Sequence, residues 1–229
     1  MEEQSAWIRN RKGKFTASEI WKLFTEPRTK ADKEAGKFSQ TAESYITEKA
    51  VEMAFGYRPK FTSKEMEHGI INEAAGFSAF LDYAPIQGWE YCPQEFFAID
   101  ENSGASPDGI CKVEEQITAV VDIKCPQPLT FFALRAEGDA LEVEAKYFYQ
   151  LQMQMLATGS NVGYLVYYLA EEFGNTYTGE VEATFDLPVK NRLIIQQVPE
   201  DKAIQLEMME KVRRAVVRRD DIISCFVNL

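Results

Sequence analysis

The spacing of apolar side chains changes period along this chain, and the change marks where helices give way to strands. Ile20, Leu23 and Phe24 recur at helical spacing behind Thr16-Ala17-Ser18-Glu19. A threonine followed three residues later by a glutamate is a capping-box pattern, so a helix is expected to start there and stop before Pro27. Residues 28–40 are polar and read as a mobile loop. A second helix is expected over about 41–55, ended by Gly56, and a third over about 64–83 with Gly69 and Gly76 inside it. Apolar positions then alternate, and 89–98, 109–113, 117–123, 162–170 and parts of 179–197 read as strands. Further helices are expected over 129–137, 142–158 and 204–219. This order predicts a mixed α/β (α+β) chain, with a central mixed β-sheet flanked by helices.

A length of 229 residues suits one large domain spanning 1–229. Helices of 16–83 would border a cleft, 89–170 would carry the sheet and its helices, and 179–229 would supply the last strands and helix.

Charge adds a constraint. Asp and Glu number 36 against 25 Lys and Arg, a formal net charge of −11. A basic surplus is the usual footprint of a nucleic-acid binder, so such a partner would have to be met by local clusters. Three exist: Arg9 to Lys14, Arg28-Thr29-Lys30, and Lys211 to Arg219. The four cysteines show no paired spacing and His68 is the only histidine, which disfavours a zinc or iron–sulfur site. With no signal peptide and no apolar run of membrane length, a cytoplasmic location and no membrane partner are expected.

The candidate chemistry lies where the strands are expected. Asp108 sits in Ala105-Ser106-Pro107-Asp108-Gly109, and Asp122-Ile123-Lys124 closes the apolar run Ala119-Val120-Val121. Residues two apart in a strand share a face, so Asp122 and Lys124 point into one cleft while Ile123 packs behind them. Two carboxylates can hold a divalent ion, and a lysine beside it can orient or deprotonate an attacking water. The similar triplets Glu144-Ala145-Lys146 and Glu200-Asp201-Lys202 lie in helix-like or loop-like surroundings, where this spacing has no such consequence. Glu73 on the third helix is a candidate third carboxylate. Tyr147, Gln150 and Gln154 form a polar stripe on one helix face, which suits either solvent or a cleft.

Several short motifs then fall in order over about residues 5–170: Trp7-Ile8-Arg9-Asn10-Arg11, Phe15-Thr16-Ala17-Ser18-Glu19, Gly69-Ile70-Ile71-Asn72-Glu73, Ser106-Pro107-Asp108-Gly109, Asp122-Ile123-Lys124-Cys125-Pro126, and Tyr147-Phe148-Tyr149-Gln150-Leu151-Gln152. Together they resemble the phage lambda exonuclease, or YqaJ-type viral recombinase, family. The resemblance implies a restriction-endonuclease-like core that digests linear double-stranded DNA from 5′-phosphorylated ends and leaves 3′ overhangs for recombination. It implies Asp108, Asp122 and the Ile123 carbonyl as ligands of Mg²⁺, with Mn²⁺ as the alternative, and Lys124 as the residue that handles the water. Glu73 and Gln150 would support ion and water. Arg11, Ser18 and Ser106 would hold the terminal 5′-phosphate, and Arg28 would touch the DNA. A single-strand annealing protein and a homotrimer are the implied partners. The chain departs from the family in having Asp122 where glutamate is commoner, and in a longer hairpin between the two acids. A structure-specific endonuclease and a non-catalytic end-binding adaptor are the alternative functions.

Overall fold

The structure is a computed structural model that describes residues 9–57, 63–175 and 179–227. Its first strand, Phe15–Thr16 (β1), runs directly into a 3₁₀ helix over Ala17–Phe24. A short helix, Lys30–Glu34 (α1), precedes Gln40–Phe55 (α2) and Lys64–Leu81 (α3). Ser39 and Ser63 cap α2 and α3 by accepting from Ala42 and Met66 N–H groups, and Gly56 ends α2 at φ 68°, a conformation glycine adopts without strain. The strands Trp89–Tyr91 (β2), Phe97–Ala98 (β3), Ser103–Ala105 (β4), Gly109–Val113 (β5) and Gln116–Lys124 (β6) follow. Pro128–Glu137 (α4) and Ala145–Thr158 (α5) then cross to Val162–Tyr168 (β7). Glu172–Asn175 (β8), Glu180–Thr184 (β9), Leu193–Pro199 (β10) and Lys202–Val227 (α6) complete the chain.

The main sheet has the order β10-β7-β6-β5-β2. The β6 and β7 strands are parallel and the other neighbours antiparallel, so the sheet is mixed as expected. Helices cover both faces. On one, Phe77 and Phe80 of α3 pack on Val121, Ile123, Tyr164 and Val166. On the other, Phe131 of α4 and Leu151 and Met155 of α5 pack on Val120, Leu165 and Tyr167. A second core joins α5 to the N-terminal region, with Met153 meeting Phe15, Ile20, Leu23, Tyr45 and Ile46 beside Met208 and Val212 of α6. Buried from both sides, α5 therefore sits between the sheet and the N-terminal elements.

Several expectations need correction. The capping box does not form: Thr16 makes no side-chain cap, its hydroxyl instead accepts from Arg11, and Glu19 pairs with Lys22 at 2.6 Å. The turn that follows is 3₁₀ rather than α. The polar stretch 28–40 contains α1, capped by Thr29 accepting from Asp32 N–H. The span 89–98 is two strands in different sheets, because Pro93 has no N–H to give a ladder and Gln94 turns at φ 68°. Two very short strands, β1 and β4, pair in parallel without any sequence periodicity to announce them. The last helix is longer than 204–219, starting where the Asp201 carboxylate accepts from Ala203 and Ile204 N–H groups. Trp7 and Ile8 of the first motif lie outside the described residues.

Candidate active site

The pleat of β6 sorts the triplet. Val121 and Ile123 belong to the α3 face and Val120 to the α5 face, so Asp122 and Lys124 project toward α5. Asp108 immediately precedes β5, and two hydrogen bonds tie it to β6: its N–H donates to Val121 O at 3.1 Å, and its Oδ2 accepts from Ile123 N–H at 2.6 Å. Ile123 thus engages the site through its N–H. Asp122 is 2% exposed. Its Oδ1 accepts from Gln150 Nε2 and, at 3.0 Å, from Gln154 Nε2. Its Oδ2 forms a buried ion pair with Lys124 Nζ at 2.6 Å. Lys124 Nζ also donates to Gln150 Oε1 at 3.5 Å and stands over the Tyr147 ring.

Like charge is concentrated here. Burial raises Asp108 well above the usual carboxylate range, and Asp122 and Glu73 push it further against the pull of Lys124 and the Ile123 N–H. Glu73 is also raised, by burial and by Asp122, although Tyr91 donates to its Oε1 at 3.0 Å. For Lys124 burial disfavours the ammonium, but Asp122 and Asp108 outweigh it and hold the group charged above its ordinary range. A cluster of acids kept together at this cost is the usual mark of a functional site.

A second cluster stands next to the first. The buried Arg11 guanidinium donates from NH1 to Ser106 Oγ at 3.3 Å, and from NH2 to Thr16 Oγ1 and Ser18 Oγ at 3.4 Å each. The parallel pairing of β1 with β4 brings these residues together, and Ser106 is two residues before Asp108. Sequence reasoning placed Arg11, Ser18 and Ser106 together but read Thr16 as a helix cap. It named Gln154 only as part of a stripe and missed Tyr91, which no local pattern singles out. Arg28 is exposed in the connection before α1 and takes no part in the hydrogen bonds of either cluster.

The chemistry of the donor set suits a small divalent cation. Among the described residues no group of three His, Cys, Asp or Glu forms a ready metal cage. A hard cation that keeps several waters needs only one or two carboxylates, however, and Asp108, Asp122 and a nearby Glu73 are all oxygen donors. The like charge that, with burial, raises Asp108 and Glu73 is what such an ion would offset.

Comparison with known proteins places the chain. A model of the YqaJ-like viral recombinase domain matches residues 6–161. The chain belongs to this family. No curated protein matches it. Among solved structures, an alkaline exonuclease (LHK-Exo) from Laribacter hongkongensis is similar at TM-score 0.75 and 19% identity, over 98% of this chain and 96% of that one. The same enzyme in complex with dAMP gives TM-score 0.73 and 19% identity, over 97% and 95%. A phage related exonuclease from Haemophilus somnus 129PT gives TM-score 0.71 and 21% identity, over 93% and 96%. The YqaJ-like chain therefore shares the fold of these exonucleases across nearly its whole length. Among its described residues, no helix is long and apolar enough to cross a membrane.

Proposed function

We propose that this YqaJ-like chain is a divalent-metal-dependent exonuclease that digests linear double-stranded DNA in the 5′→3′ direction from 5′-phosphorylated ends, leaving 3′ overhangs for recombination. One observation carries the reading: the Arg11 guanidinium, ringed by Thr16, Ser18 and Ser106 hydroxyls, is joined through the short Ser106–Asp108 segment to the Asp108, Asp122 and Lys124 cluster. A guanidinium with hydroxyl donors suits a phosphate monoester. A terminal phosphate bound there would place a phosphodiester further along its strand near the acids.

Mg²⁺ is the expected cofactor, with Mn²⁺ the alternative. Asp108, Asp122 and the Ile123 carbonyl would hold it, with Glu73 in support. When bound, it supplies charge to the scissile phosphate and acidity to a coordinated water. The chain's own residues do the rest. Gln150 and Gln154 hold Asp122 in one rotamer, and Lys124 presents an ammonium that can orient a water or neutralise developing negative charge. Arg28 would touch the duplex outside the cleft. A trimeric ring and a single-strand annealing partner extend the reading by family resemblance; light scattering and co-purification test them.

The decisive assay is a time course on linear duplex DNA with 5′-phosphate or 5′-hydroxyl ends, in Mg²⁺ and in chelator, beside covalently closed circles. Mononucleotide release from phosphorylated ends, with circles untouched, is expected. Cleavage of circles would favour the endonuclease alternative, and binding of ends without product would favour the adaptor. In Arg11→Ala the preference for phosphorylated over hydroxyl ends should fall roughly tenfold or more, the scale of one or two charge-assisted hydrogen bonds. An unchanged preference would show that the phosphate is held elsewhere.

A further inference from the structure

Gln154 connects the two clusters. Its side chain, 0% exposed in the middle of α5, donates from Nε2 to Asp122 Oδ1 at 3.0 Å and to the Ser106 carbonyl at 3.5 Å. Its Oε1 is buried without a hydrogen bond. Leaving an amide oxygen unsatisfied in a core is unfavourable, and a methionine of the same length, like the neighbouring Met153 and Met155, would avoid it. Packing alone therefore does not explain a glutamine here; its donors do.

Those donors close a continuous path. Arg11 holds the Ser106 hydroxyl, Ser106 offers its carbonyl to Gln154, and Gln154 holds Asp122. The Asp122 link has an ordinary length, whereas the Ser106 and Arg11 links, at 3.3–3.5 Å, are at the long limit. The adjustable part of the path is thus on the Arg11 side, where an arriving anion would draw the hydroxyls and the Ser106 segment inward. Long hydrogen bonds at ligand-free sites commonly tighten in the complex. Gln150 differs in kind: it bonds Asp122 and Lys124 and has no link to the Arg11 cluster.

We propose that Gln154 is a positioning residue that couples a terminal phosphate in the Arg11 pocket to the placement of Asp122, so that phosphorylated ends gain in turnover as well as in binding. The inference rests on the reading of the site given above. Its consequence is a split between kinetic parameters: a pocket that only binds would show its effect in KM, while a coupled pocket shows it in kcat as well.

The test uses the full chain with Mg²⁺ and duplexes carrying 5′-phosphate or 5′-hydroxyl ends. In Gln154→Met, kcat should fall on both kinds of end, because Asp122 loses a donor, but about tenfold further on phosphorylated than on hydroxyl ends, while KM stays within about twofold. The double variant Arg11→Ala/Gln154→Met should show no lower phosphate preference than Arg11→Ala alone, because both changes break one path. An equal fall on both ends would reduce Gln154 to a support for Asp122 and overturn the coupling, as would additive loss in the double variant or no loss at all. Should Gln154→Met fail to give a native circular dichroism spectrum and a cooperative melt, Gln154→Asn takes its place. It keeps an amide but is one methylene too short to span both partners, and an unchanged phosphate preference there would again overturn the proposal. A wild-type chain that digests no linear duplex sinks the underlying function. A wild-type preference for phosphate that survives Gln154→Met sinks only the coupling.

Discussion

Replacing Lys124 with alanine separates what this residue does for the fold from what it does for chemistry. Its ammonium stands 2.6 Å from Asp122 Oδ2, with side-chain exposures of 25% and 2%. At an effective dielectric constant of about 20, that attraction is roughly 6 kcal/mol before desolvation. Much of it is offset, since Lys124 loses hydration in the cleft and Asp122 keeps its Gln150 and Gln154 donors. A net loss of about 2–3 kcal/mol is expected, below the usual range for breaking a fully buried pair. In a chain of this size that is a fall in Tm of roughly 5–10 °C, read by calorimetry in chelator at neutral pH. Digestion of 5′-phosphorylated duplex should fall by about 10²–10⁴ in the same variant. The two losses should then respond differently to Mg²⁺. An ion held by Asp108 and Asp122 replaces the missing positive charge, so at about 100 times its Kd it should return roughly 2.7 kcal/mol of stability while activity stays lost. Should saturating Mg²⁺ leave the variant's Tm where it stands in chelator, these acids are not the ion's ligands. Near-normal digestion would remove Lys124 from the chemistry altogether.

Two other variants probe the same balance of charge. Asp108→Asn removes one of the crowded acids yet keeps an oxygen for the Ile123 N–H, so it should be about 1 kcal/mol more stable than wild type in chelator while digestion is abolished; a lower Tm would contradict the repulsion described for Asp108, Asp122 and Glu73. On α2, Lys49 is buried with Glu52 at 2.9 Å and Glu19 at 3.9 Å. Lys49→Met strands Glu52 in the core and should cost roughly 3–5 kcal/mol in urea unfolding, and adding Glu52→Leu should restore most of it; no recovery would mean that Lys49 matters through packing rather than charge.

How far the fold can be read from sequence follows from how many residues share in each signal. Helices α2, α3 and α5 and strands β6 and β7 repeat their apolar pattern over several turns or alternations, and each lies close to its expected span. Elements of two or three residues carry no periodicity. The parallel pair β1 and β4 is held by four residues, Phe15, Thr16, Ser103 and Gly104, whose partners are nearly ninety positions apart. Local pattern also misled where a side chain had a tertiary partner: Thr16 and Glu19 have the spacing of a capping box, but Arg11 and Lys22 take their oxygens.

The site divides along the same line, and the division explains why Gln154 was the harder residue to find. Asp122 and Lys124 are legible because strand spacing alone puts them on one face, and Asp108 is legible because a Pro-Asp-Gly segment leads into the next strand. Arg11, Ser18 and Ser106 have no mutual spacing that physics would reward. Only motif order suggested them, and only the β1–β4 pairing brings them to one guanidinium. Gln154 belongs to both groups. Helical periodicity put it beside Gln150 on a polar face, but that face could equally have met solvent. What decides otherwise is α5 lying between the sheet and the N-terminal core, with Gln150, Gln152 and Gln154 buried in its centre. Gln152 is matched on both sides of its amide, to Pro199 O and Asp201 N–H, and anchors the start of α6. Gln154 is matched only through its nitrogen, and both of its acceptors belong to the candidate site. A buried amide whose two acceptors are the Asp122 carboxylate and the Ser106 carbonyl points to function more directly than its place in any motif does.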